Sequence, residues 1–369
     1  MSNFIQYSQG FLAILLITLG IAQIVSTYWR IRAISLIGPS KIGGYVLGVG
    51  FLVIGGILLP PYWEVIGWMV LTIPLALLIL AIGGAYITPP PHPNTLFEAG
   101  NPAHASSQAV QIPDGTAQMP GHLLYPPQSK DSMPAICIVP GAGDNKINFK
   151  WRLINALLAE GFIVLTIDPP GHGEDRGRPM AYPECQSAIP AAITFLQQQP
   201  HVGEIGLVGI SLGGALALNS LATFGDTRAL VKAIVIITTP PWLRYRKSLF
   251  YQELWKTMFR SPFLSLLTEM NLQQLRESWT TGGYRSRHTL DDLLDLLNPV
   301  ESIKQLSQIP TLLIYSRRDS VSPPQAAQAM RQAAPHAEFV EIKHVSHVMP
   351  TLMPEINQQM AQWLQTKLK

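Results

Sequence analysis

The stretch GEIGLVGISLGGALALNSLA, residues 203–222, sets the strongest constraint on the fold of this chain. An apolar run rich in Val, Ile and Leu ends at a serine between glycines. An Ala/Leu segment follows with no break. The run is short and has the composition of a buried strand, and the segment after it, Leu212 to Phe224, reads as a helix. A strand that turns directly into a helix is half of a βαβ unit. Such units build mostly parallel sheets with helices on both faces.

The same alternation recurs from about Ala109 to the C-terminus. AVQIPDG reads as a strand ending in an Asp114-Gly115 turn, and AQMPGHLLYP as its antiparallel partner. AICIVPG is a buried strand, and Trp151 to Glu160 a helix stopped by Gly161. Phe162 to Gly173 is a strand running into a loop, and Glu184 to Gln199 is helical. VKAIVIITTP, TLLIYSRRD and EFVEIKH are further strands, and Met353 to Lys369 closes as an amphipathic helix. Between Thr239 and Pro310 the alternation lapses for too long to be a bare loop. This predicts a domain over 109–369 with an inserted segment at about 240–305.

Ser211 fits the pattern G-x-S-x-G, with Gly209 and Gly213 on either side. A serine on a sharp strand-to-helix turn needs neighbours without side chains, and the turn lifts its hydroxyl clear of the sheet at a helix N-terminus. A hydroxyl nucleophile needs a base, and the base needs an orienting group. Asp319 follows the strand TLLIYS. His344 ends the next strand and His347 lies in the loop beyond, so His347 is favoured over His344. The order Ser, Asp, His puts all three on the carboxyl edge of a parallel sheet, where ligands bind in open α/β folds. Two backbone N–H groups would stabilise an oxyanion: Leu212, directly after the serine, and Ala142 in the loop PGAG.

These stretches, with DPPGHGED and HVSH, resemble the α/β-hydrolase superfamily, in particular its dienelactone-hydrolase-like and S33-like esterase group. The resemblance covers about two thirds of the chain. It implies a central eight-stranded sheet, a helical cap at about 240–305 and a Ser211–Asp319–His347 triad. It also gives Asp168 and His172 a structural role in a loop that shapes the pocket. The chain departs from the pattern at the PG before the oxyanion loop, at Ser316 and at His344-Val345-Ser346-His347.

The first ninety residues are different. Three runs, at about 10–28, 42–60 and 65–87, carry no charge. A hydrocarbon core of roughly 30 Å takes about 20 apolar residues of helix, so three transmembrane helices are expected over 1–90. Gly44 and Gly48 lie at the spacing that lets helix backbones approach in lipid. The loop after the first run holds Arg30, Arg32 and Lys41, while the N-terminal tail and the loop PPYWE hold no Lys or Arg. The positive-inside rule then puts that loop, and everything after the third run, in the cytoplasm. TPPPHP opens an extended linker over 91–108.

Overall composition agrees: only 13% of residues are charged, and mean hydropathy is +0.21. A net charge of +3 is too small to argue for nucleic acid. Cys137 and Cys185 form no CxxC, and no metal-ligand spacing such as HExxH occurs, so neither metal nor organic cofactor is expected. The expectation is an integral membrane serine hydrolase with a cytoplasmic domain, cleaving an ester, thioester or amide bond, with a peptide bond as a further option. Its partners would be the lipid bilayer and a small-molecule or lipid-like acyl substrate; the sequence leaves the oligomeric state open. The inserted segment carries Arg244, Arg246, Lys247, Lys256 and Arg260 among Trp242, Phe250, Trp255 and Phe259, which suits an ordinary cap with a solvated basic face or, alternatively, a cap resting on an anionic lipid surface. The alternative is a hydrolase fold kept as a non-catalytic scaffold at the membrane.

Overall fold

The computed structural model describes residues 2–29, 36, 41–58, 72–73, 75–80, 82, 97, 101–128, 131–147, 150–244, 246, 248–249, 252–253, 256, 284–347 and 349–368. The chain divides into two units, one built on residues 1–93 and the other on residues 94–262 and 278–369.

In the first unit, helix α1 (Ser2–Trp29) packs against α2 (Lys41–Leu58). The pairing is antiparallel. A Cβ added to Gly55 would lie 2.8 Å from the Ala13 carbonyl, one on Gly48 would lie 3.1 Å from the Gly20 carbonyl, and one on Gly44 would collide with Thr27. Small residues therefore recur every seven positions along α1, at Ala13, Gly20 and Thr27, and meet the glycines of α2 at close range. Polar groups inside the pair are satisfied: Thr27 donates to the Gln23 carbonyl at 2.7 Å, and Gln23 Oε1 accepts the Leu36 N–H at 2.9 Å. The outer face of α2 is apolar and open, with Ile42 79% and Ile57 78% exposed.

Among the described residues one helical segment, Ser8–Tyr28, is long and apolar enough to cross a membrane. A buried core helix or a signal sequence would pass the same test. The expectation of three such helices is thus met in full only by the first. The apolar part of α2, Ile42–Leu58, is shorter. At 1.5 Å per residue its 17 residues rise about 26 Å, less than the roughly 30 Å core. Most of the third run, 65–87, lies outside the described residues.

The second unit is an eight-stranded sheet in the order β1-β2-β4-β3-β5-β6-β7-β8. The strands are β1 (Ser106–Asp114), β2 (Ala117–Tyr125), β3 (Met133–Val139), β4 (Ile163–Ile167), β5 (Val202–Ile210), β6 (Val231–Ile237), β7 (Thr311–Ser316) and β8 (Glu338–Ile342). Asp114-Gly115 turns β1 back onto β2, and β2 pairs antiparallel with β4; the other pairings are parallel. Every strand expected from the sequence is present.

Alternation along the strands splits the core into two layers. Ala135, Cys137 and Val139 of β3 join the cluster that holds α4 (Ala188–Gln197) and α5 (Leu212–Thr223). Gly206 of β5 sits instead beneath Ile136, Leu364 and Leu368, on the side of α10 (Pro354–Lys367), which packs on α3 (Trp151–Ala159). Both faces are covered, which is why the central strands are uncharged along their length. Further helices among the described residues are α6 (Gly225–Leu230), α7 (Leu290–Leu297), α8 (Pro299–Lys304) and α9 (Pro324–Ala333). Of the inserted segment, 257–283 lie outside the described residues.

Candidate active site

Ser211 occupies the single residue between β5 and α5, with φ 50° and ψ −120°. Few residues other than glycine adopt a positive φ, so this backbone must be held. Its N–H donates to the Ile237 carbonyl at 2.8 Å, and its carbonyl accepts from Thr239 Oγ1 at 2.9 Å and from the Gly214 N–H at 3.0 Å. The flanking glycines are steric requirements. A Cβ on Gly213 would lie 2.3 Å from the Pro140 carbonyl, and one on Gly209 would lie 2.5 Å from Gly214 Cα.

The ends of β7 and β8 bring two more groups to this turn. His347 Nε2 lies 2.8 Å from Ser211 Oγ, and its Nδ1 lies 2.7 Å from Asp319 Oδ2. Asp319 is 3% exposed, and its second oxygen accepts the N–H groups of Val321 and Ser322, each at 2.7 Å. Both Asp319 oxygens are therefore engaged, and the imidazole is oriented at each nitrogen. Burial alone would depress the His347 pKa. The adjoining Asp319 carboxylate, with help from Glu253, outweighs burial and raises it above the ordinary imidazole value. His344, the other candidate, is exposed in the bend two residues after β8.

The loop after β3 lies against the serine: a Cβ on Gly141 would come within 3.1 Å of Ser211 Cβ. Ala142 follows, half-buried against the core. Leu212 is the first residue of α5, where a backbone N–H has no intrahelical acceptor. The same loop is pinned from below by Asp168. Its carboxylate accepts the Lys146 N–H at 2.6 Å and the Glu174 N–H at 3.0 Å, and pairs with Lys146 Nζ at 2.7 Å. Lys150 pairs with Asp144 in the same loop. His172 is buried against Tyr284, with Nδ1 3.1 Å from the Pro170 carbonyl. Among the described residues, Asp168 thus partners Lys146 and Glu174, and His172 partners Pro170 and Tyr284. Burial pushes the Cys137 and Cys185 thiols up to about 12, which removes them as nucleophiles.

The sequence pattern of the Alpha/beta hydrolase family matches residues 138–356, more than half of the chain, and that range includes Ser211, Asp319 and His347. The chain belongs to this family. As a hydrolase it has esterase relatives. It is 30% identical over 214 residues to a pimeloyl-(acyl-carrier protein) methyl ester esterase of Xanthomonas campestris, covering 52% of this chain and 79% of that one. Among solved structures it resembles the hypothetical protein PA2218 of Pseudomonas aeruginosa, with TM-score 0.54, 21% identity, and 73% and 96% of the two chains covered. It also resembles Est1E of Butyrivibrio proteoclasticus, with TM-score 0.50, 14% identity and coverage of 70% and 98%. At these identities the structural likenesses speak for the fold.

Three contributors were not read from the sequence. Thr239 caps the Ser211 carbonyl, and Lys146 is the partner through which Asp168 fixes the loop after β3. The third is Glu253, buried beside His347. Over residues 240–262 it is the one acid beside five bases, and that local isolation was the available signal. Of the basic and aromatic residues expected on the cap, Trp242, Arg244 and Arg246 are exposed, and Lys256 is half-buried. Lys247, Phe250, Trp255, Phe259 and Arg260 lie outside the described residues, or their side chains do.

Proposed function

We propose that this hydrolase cleaves a carboxylic ester through an acyl-enzyme. The observation that carries the reading is the unbroken relay from Ser211 Oγ through the two His347 nitrogens to Asp319, at 2.8 and 2.7 Å, on a strained strand-to-helix turn. Ser211 Oγ attacks the carbonyl carbon while His347 Nε2 takes its proton. Asp319 holds the imidazole and stabilises the imidazolium. The N–H groups of Leu212 and Ala142 receive the developing oxyanion. His347 then protonates the departing alcohol, and water, activated by the same imidazole, releases the acid. Relatives such as those of Xanthomonas campestris and Nitrosomonas europaea are methyl ester esterases, which favours an ester over a peptide bond.

We also infer that the enzyme is membrane-anchored. The apolar span of α1 and the open apolar face of α2 support this. The basic residues at 30, 32 and 41 favour the cytoplasmic side for the loop that follows α1. A substrate presented at the leaflet, with an acyl chain, suits such an anchor.

A panel of p-nitrophenyl esters of increasing chain length, run beside aminoacyl-naphthylamides, tests the reaction class. The expected result is ester turnover that depends on chain length and little naphthylamide cleavage. Preferred naphthylamide cleavage would replace the esterase reading with a peptidase one, and no turnover of either class would favour the scaffold.

A further inference from the structure

Glu253 lies in the insertion between β6 and β7, far in sequence from the serine, aspartate and histidine. It is helical, 7% exposed, and uses both carboxylate oxygens. Oε1 accepts the backbone N–H of Ser320 at 2.6 Å, and Oε2 accepts that of His347 at 2.7 Å. Ser320 directly follows Asp319. One side chain therefore ties the acid's loop to the base's own backbone. Lys256, one helical turn on, reinforces the same joint by donating to the Arg318 carbonyl at 2.9 Å and to Ser320 Oγ.

We propose that Glu253 is a positioning residue that makes the alignment of His347 with Asp319 and Ser211 depend on the seating of the inserted segment. This rests on the catalytic reading above. Hydrogen bonds to a buried carboxylate are among the stronger ones, and each here fixes a peptide within one residue of a catalytic side chain. With Glu253 removed, two buried N–H groups lose their acceptor and the two loops are free to shift apart. Displacements on the order of 1 Å at a catalytic group cost about 10²-fold in rate. The charge also matters. Among the described residues, the charged groups acting on His347 are Asp319 on the β7–α9 loop and Glu253 on the insertion. Lys256 stands on the far side of Glu253, with Nζ 3.7 Å from Oε1. Glu253 thus favours the imidazolium that forms in the transition state, while Asp319 remains its direct partner.

The test is the pH dependence of p-nitrophenyl butyrate hydrolysis by the full chain, with Ser211→Ala as the reference for the reading itself. Glu253→Gln keeps the shape, removes the charge and one of the two acceptors. Its kcat should fall at least about tenfold with KM little changed. The acid limb of its kcat/KM profile should move to lower pH, because a negative charge has left the imidazole. Glu253→Asp keeps the charge but is too short to reach both N–H groups, so kcat should fall with the limb in place. A residue that only held the insertion down would lower activity in both variants without moving the limb in Glu253→Gln, and that result overturns the proposal. So does wild-type kcat in either variant. If Glu253→Gln does not fold, Glu253→Asp decides alone on kcat. Wild-type protein with no Ser211-dependent turnover would remove the catalytic reading, and the positioning role with it.

Discussion

Ser211 is held in a backbone conformation that costs energy, and the residues around it are chosen by that constraint. Gly213→Ala would press a methyl group to 2.3 Å from the Pro140 carbonyl. Overpacking of this kind costs about 1–3 kcal/mol and forces the β3 loop and the serine apart. The expected outcome is a lower denaturation midpoint with esterase activity lost out of proportion to it, read by a urea melt beside a rate assay. His347 makes a second prediction. As general base it must be neutral, and its pKa is raised by Asp319 and Glu253 against the effect of burial. The kcat/KM profile should therefore fall on its acid side with a midpoint above 6.5, the ordinary imidazole value. The same shift stabilises the fold below that ordinary value, and the contribution is lost as pH rises through the raised one. A midpoint below the ordinary value would contradict the assignment.

Elements bring these residues together, and here the limits of sequence reading are physical. The central strands were legible because buried parallel strands must be continuous and apolar, as in LLIYS of β7, and the β1–β2 hairpin was legible from its Asp114-Gly115 turn. The glycine pattern around Ser211 was legible because backbone crowding admits nothing else. Glu253 was not, because a pairing between segments far apart in sequence leaves no periodicity. The Lys146–Asp168 pair was hidden for the same reason. That pair is buried, with Lys146 4% and Asp168 1% exposed. Asp168→Ala would strand the ammonium with only the exposed Glu174 as partner, and breaking a buried pair costs about 3–5 kcal/mol. The urea midpoint should drop accordingly. In the helical pair, Gly44 and Gly48 were read only as a spacing. Their partners turned out to be Thr27, Gly20 and Ile24 of α1. Gly48→Leu should separate α1 from α2, seen as loss of disulfide cross-linking between cysteines placed at 13 and 55. Cross-linking at the level of Gly48 protein would contradict the packing.

At the scale of the whole molecule, an apolar N-terminal unit is joined to a hydrolase unit. Its length requirement was the part of the sequence reading that exceeded the structure: an uncharged run says how apolar a helix is, whereas its ends depend on caps and loops. The membrane inference predicts that the full chain stays in the pellet after alkaline carbonate extraction. Release into the supernatant would make α1 and α2 a soluble or peripheral pair. The claim on which the rest depends is that Ser211 is a nucleophile activated by His347 and Asp319. Its most direct measurement is covalent labelling of the full chain by a fluorophosphonate, with the modified residue located by mass spectrometry. The account predicts one adduct, on Ser211, abolished in Ser211→Ala and slowed by orders of magnitude in His347→Ala. Absence of labelling in wild type, or an adduct on another serine that survives Ser211→Ala, would contradict it.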